Sequence, residues 1–85
     1  MKTYVIDCRA LTDKAAAHTY LKALFSFPDY YGNNLDALYD CLSELSACVI
    51  SLYSPWALAQ LGDYAVPLLD VFRDLARERD DIILL

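Results

Sequence analysis

Apolar positions along this chain switch between a spacing of two and a spacing of three to four, and the switches mark out its elements. The runs "TYVIDC" (residues 3–8), "ACVISLY" (47–53) and "DIILL" (81–85) are rich in β-branched and large apolar residues and have the length of strands. The last run lacks polar alternation, the pattern of a strand buried on both faces. Between the first two runs, Ala17, Leu21 and Leu24 recur at helical spacing. Thr12 is placed to cap a helix from about Asp13 to Phe25, and Pro28 stands just beyond it. The turn "PDYYGNN" leads into a second helix with Asn34 as N-cap and Asp36 in the first turn, expected to end near Ser46. Pro55 to Leu61 reads as a short helix stopped by Gly62, and Asp63 can begin a longer one to about Arg79, with Pro67 tolerated near its first turn.

Strands joined by helical crossovers run parallel, and right-handed crossovers added in one direction put the helices on the same side of the sheet. The expected fold is therefore a two-layer α/β domain with a three-stranded parallel sheet packed against helices. At 85 residues the chain has room for one core, so residues 1–85 form one expected domain. A hydrophobic fraction of 58% with 2 glycines and 3 prolines argues for a folded globule over a disordered chain.

Charge changes the picture more than composition does. The net charge is -5, and from Ala23 to Phe72 there is no lysine or arginine, although Asp29, Asp36, Asp40, Glu44, Asp63 and Asp70 fall inside that span. A chain that binds nucleic acid needs a basic patch to neutralise phosphates, so no nucleic-acid partner is expected. The N-terminus places Asp7 and Arg9 where a secretory signal would need an apolar run, and no stretch approaches about 18 apolar residues. The expectation is a cytoplasmic protein without a membrane partner. Cys8, Cys41 and Cys48 are odd in number and lack metal-type spacing, as suits reduced thiols packed as small hydrophobes.

On the second predicted helix, Leu35, Leu38, Leu42 and Leu45 form one stripe, with Asp36 and Asp40 nearly opposite. On the last helix Leu68, Phe72 and Leu75 line one face while Asp70 and Asp74 share the other, where Arg73 and Arg77 can pair with them at i+3. The second helix has no such relief. An acidic helical face is often no more than a solubilising surface. Here Tyr30 and Tyr31 precede the helix and Tyr39 lies on its flank, and tyrosines at the edge of a charged surface are common interface anchors. Gly32 followed by two asparagines suits a turn with residues at positive φ, and at least one of the three tyrosines belongs in the core.

The segment "PDYYGNNLDALYDCL", Pro28 to Leu42, resembles the signature of the barstar family, small intracellular inhibitors of the secreted ribonuclease barnase. "LLDVFRDL" (68–75) resembles the helix before the family's last strand and "DIILL" that strand, whereas Ser46 to Asp63 carries little of the family's pattern. The resemblance implies inhibition by surface mimicry, in which the turn and second helix plug the nuclease active site and an aspartate takes the place of a substrate phosphate. Asp40 matches that aspartate. Tyr30, Gly32, Asn34, Leu35, Asp36 and Tyr39 match contact positions on the turn and helix, and Val71 and Asp74 match contacts on the last helix. The chain differs from the family's pattern at Tyr39, in place of tryptophan, at Asn33, in place of glutamate, and at Asp74, one methylene shorter than glutamate. The implied partner is a basic, barnase-type ribonuclease met by a protein that is monomeric when free, needs no cofactor or metal and is not an enzyme.

Two other classes compete. The same fold can carry its acidic face to a basic protein that is not a nuclease. Alternatively, Asp36, Asp40, Asp70 and Asp74 could converge as oxygen ligands for Mg²⁺ or as an acid/base pair. His18, the only histidine, is expected as an exposed or packed residue on a helix flank, because no nucleophile, base and orienting group can be assembled around it with Cys41 or Ser43.

Overall fold

In the computed structural model, which describes residues 1–85, the three strands bury alternate positions against the core. Strand β1 spans Lys2–Asp7, β2 Cys48–Tyr53 and β3 Ile82–Leu84. They pair in parallel in the order β1-β2-β3, with Ile6 opposite Leu52 and Cys48 opposite Ile82. Ile6, Cys48, Ile50 and Ile82 are buried, while their neighbours Val5, Tyr53 and Ile83 are 50%, 51% and 44% exposed. The sheet is thus covered on one side only. This corrects the expectation of a last strand buried on both faces: β3 is a sheet edge, and its unbroken apolar run puts Ile83 and Leu85 in solvent.

Helix α1 covers Lys14–Phe25, and its N-cap is Asp13, not Thr12. Asp13 is extended and its carboxylate accepts the Ala16 N–H at 2.8 Å, a bond that also places negative charge at the positive end of the helix dipole. Helix α2, Leu35–Ser43, begins at the expected cap, with Asn34 Oδ1 accepting from the Ala37 N–H at 2.8 Å. It stops three residues short of Ser46. The Ser43 hydroxyl donates back to the Asp40 carbonyl at 2.7 Å and the Leu45 N–H turns to Leu42, tightening the end. Pro55–Tyr64 is a 3-10 segment interrupted at Gly62, whose φ of 57° and ψ of -128° no side chain would favour. Helix α3 follows over Ala65–Glu78 with Pro67 in its first turn, where a missing N–H costs nothing.

The core is one cluster of 18 buried residues between the sheet and the helices. Leu21, Leu38, Leu42 and Leu75 are fully enclosed, one or more from each helix. An aromatic row runs through it: Tyr4 on β1 lies 4.6 Å from Phe25 on α1, which meets both Phe27 and Phe72, and Phe27 lies 4.9 Å from Tyr31. The connection between α1 and α2 is therefore fastened from within. At the sheet edge, the Tyr20 hydroxyl takes the Asp7 N–H at 2.9 Å, filling a place a further strand would use. No helix is long and apolar enough to cross a membrane.

The position of the α1 cap gives a direct test. Asp13→Ala is expected to lower the unfolding free energy by about 1 kcal/mol, whereas Thr12→Ala stays within about 0.5 kcal/mol of wild type. Urea midpoints read both.

Candidate partner-binding face

The turn ahead of α2 is held by one of its tyrosines and displays the other. Ser26, in the left-handed conformation, ends α1, and Phe27 turns into the core. The Tyr31 N–H bonds the Pro28 carbonyl at 3.0 Å, so the two tyrosines emerge in opposite directions. Tyr31 is 5% exposed and Tyr30 85%. The turn has the positive φ expected of it, carried by Asn33 (54°) and not by Gly32. Space there is tight: a Cβ at 32 would lie 3.2 Å from the Asn34 side-chain nitrogen, which would have to give by a few tenths of an ångström. That nitrogen donates to the Gly32 carbonyl at 3.3 Å while the same side chain caps α2, so the turn and the helix form one unit.

Beneath this turn lies His18, 1% exposed and enclosed on α1. Its Nδ1 is 2.6 Å from the Tyr31 hydroxyl and its Nε2 is 2.6 Å from the Tyr64 hydroxyl. A neutral imidazole satisfies both, donating its single N–H to one phenol oxygen and accepting the O–H of the other. The cluster ties α1, the turn and the segment before α3 together. Burial holds the His18 pKa below its ordinary value, with Lys14 acting the same way, and burial raises those of both phenols. Sequence spacing placed His18 on a helix flank and gave no sign of its partners, which lie 13 and 46 residues away.

On α2 the expected division of faces is present. Leu38 and Leu42 are buried, Leu35, Tyr39 and Leu45 are partly covered, and Asp36, Asp40 and Glu44 point to solvent. None of these three carboxylates lies within 4 Å of a lysine or arginine nitrogen. Helix α3, which packs against α2, brings a half-buried Val71 and an exposed Asp74. Its acids are neutralised locally: Arg73 lies 3.8 Å from Asp70 and Arg77 3.1 Å from Asp74, the i+3 pairs that the sequence predicts. Tyr30, Gly32, Asn34, Leu35, Asp36, Tyr39 and Asp40 thus follow one another along the turn and α2, with Val71 and Asp74 on the neighbouring helix.

No three carboxylate, histidine or cysteine side chains gather as a metal ligand set, so Asp36, Asp40, Asp70 and Asp74 do not converge. The one cavity, about 350 Å³, is lined by Lys14, Ala15, His18, Thr19 and Asn33 and by none of these acids. The acidic face holds no cavity and offers contact rather than enclosure.

Fold and face together define a class: a small parallel α/β protein that turns an acidic helix, launched from a rigid aromatic turn, toward solvent. Residues 1–83 match the family described as Barstar (barnase inhibitor), and the chain belongs to that family. The match runs through residues 46–63, where the motif is least legible. The chain is also similar to a protein of Bacillus subtilis (strain 168) named "Putative ribonuclease inhibitor YrdF", at 36% identity over 84 residues, which cover 95% of this chain and 92% of the relative.

The buried imidazole predicts a pH dependence. His18 binds its proton less readily folded than unfolded, so below its ordinary pKa of 6.5 the unfolded chain holds more protons and stability falls as pH falls. Asp7 and Asp81, whose carboxyls arginines hold below their ordinary 3.8, titrate at lower pH and leave this window to His18. Urea unfolding at pH 7.5 and 5.5 is expected to show a loss at the lower pH that is absent from His18→Gln.

Proposed function

We propose that this protein inhibits a basic, barnase-type ribonuclease by covering its active site with α2 and the turn before it. A ribonuclease site concentrates cations to hold RNA phosphates, and those cations are satisfied equally well by a row of carboxylates on a rigid support. Asp36 and Asp40, one turn apart, supply the row, and Asp40 occupies the position of a phosphate. Tyr30, Asn34, Leu35 and Tyr39 frame the row and exclude water from it, Gly32 lets the turn lie close against the helix, and Val71 and Asp74 extend the contact onto α3. The observation that supports this reading best is the set of α2 carboxylates, exposed and without a cation of their own, in a chain of the Barstar family. The named role of the Bacillus relative agrees with it.

The protein works by binding and performs no chemical step, acting as a monomer in the cytoplasm of the cell that makes or meets the nuclease. Its net charge of -5 steers a cationic partner toward it before contact.

Inhibition of barnase by the purified protein tests the reading. Asp40→Ala is expected to weaken binding by at least about 2 kcal/mol, roughly thirtyfold, with the unfolding midpoint nearly unchanged. Asp74→Ala is expected to cost less, because Arg77 already offsets that carboxylate. Association is expected to slow steeply as salt rises past the point where the screening length falls to about 10 Å. Unaltered affinity in Asp40→Ala takes Asp40 out of the interface, and a ribonuclease left fully active by the wild-type protein refutes the proposal.

A further inference from the structure

Helix α2 carries the wrong charge at its C-terminal end. Its last turn holds Asp40, its C-cap is Glu44 and it has no basic residue there, so two carboxylates stand where the helix dipole is already negative. It also lacks a glycine stop: Glu44 stays in the right-handed region, and the N–H groups of Glu44 and Leu45 turn back to Cys41 and Leu42. The Ser43 carbonyl receives no backbone donor.

Arg79 supplies one from 36 residues away, its Nη1 donating to the Ser43 carbonyl at 2.9 Å. The rest of the guanidinium is held by Asp81, with Nε 3.0 Å from Oδ1 and Nη2 2.9 Å from Oδ2. The Asp81 carbonyl in turn accepts the N–H of Cys48, the first residue of β2, at 3.0 Å. The Arg79 side chain is only 26% exposed, so this contact is better shielded from solvent than the pairs on α3.

We infer that Arg79 is the positioning residue of the acidic helix: its guanidinium, gripped as a fork by Asp81, provides the cation that α2 lacks and fixes the turn carrying Asp40 to the start of β2 and β3. The charge is delivered to the backbone end and not to the outward carboxylates, so Asp40 stays free for a partner. Lysine cannot substitute, because one ammonium does not present the planar set of donors that spans both Asp81 oxygens and the carbonyl. A helix held in its bound position loses less freedom on association, and that advantage appears as a slower dissociation. This inference rests on the reading of α2 as the partner-binding element.

The test compares Arg79→Ala and Arg79→Lys with Ile6→Val, a core change in β1 that lowers stability without touching α2. With barnase as the probe, Arg79→Ala is expected to raise the dissociation rate about tenfold, the worth of one charge-assisted hydrogen bond. Arg79→Lys should recover only part of this, and Ile6→Val should leave the rate unchanged. Amide exchange at residues 41–45 is expected to quicken in both Arg79 variants and not in Ile6→Val. Should Arg79→Ala fail to fold, Asp81→Asn, which releases the fork and keeps the arginine, is to give the same pattern. Wild-type dissociation, wild-type exchange at residues 41–45, or full recovery by lysine overturns the inference. If wild-type protein leaves barnase active, the proposed function fails, and the exchange measurement by itself decides the clamp.

Discussion

Two phenols closing on one buried imidazole hold this small fold together where its exposed face begins. His18 sits on α1, Tyr31 in the connection to α2 and Tyr64 just before α3, so a single side chain joins three segments that share no backbone ladder. A buried polar group left unpaired would cost on the order of 1–3 kcal/mol, and none is left unpaired here. Tyr31 points inward and Tyr30 outward, and the turn cannot relax without breaking the Tyr31–His18 hydrogen bond and the aromatic contact with Phe27. The rigidity of the exposed face is a property of the core beneath it.

The distribution of charge follows the same separation. Helix α3 lays arginines beside its aspartates, and such exposed i+3 pairs contribute only about 0.2–0.5 kcal/mol each, enough to cancel the repulsion between Asp70 and Asp74. Helix α2 carries comparable repulsion without relief and is nine residues long, too short to be stable by propensity. What holds it is Leu38 and Leu42, each fully buried, the Asn34 cap, and the guanidinium at its far end. Packing overrides the electrostatic cost.

Periodicity made the strands, the three helices and the leucine stripe of α2 legible, because each follows from where apolar residues recur. The acidic face was legible for the same reason, as the complement of that stripe. Boundaries were less so: Thr12 and Asp13 are both competent caps, and only the extended backbone at Asp13 selects it. Which of Gly32 and Asn33 takes positive φ could not be read either, since both residues tolerate the left-handed region. His18 and Arg79 were opaque because their roles depend on partners 13 to 46 residues away, which no local pattern encodes.

The unrelieved acids of α2 are best understood through what they do in the absence of a partner. Asp36, Asp40 and Glu44 repel one another in the free protein, and solvent and salt screen that repulsion only in part. A cationic surface docking there removes the repulsion as it forms its own contacts, so association gains from both. An arginine placed on the helix itself, as on α3, would stabilise the free protein and forfeit that gain. The span from Ala23 to Phe72 holds no lysine or arginine, so no side-chain cation of its own offsets those acids. The one cation that reaches α2 does so from outside the span and touches only its backbone end, which steadies the helix and leaves its outward charge intact.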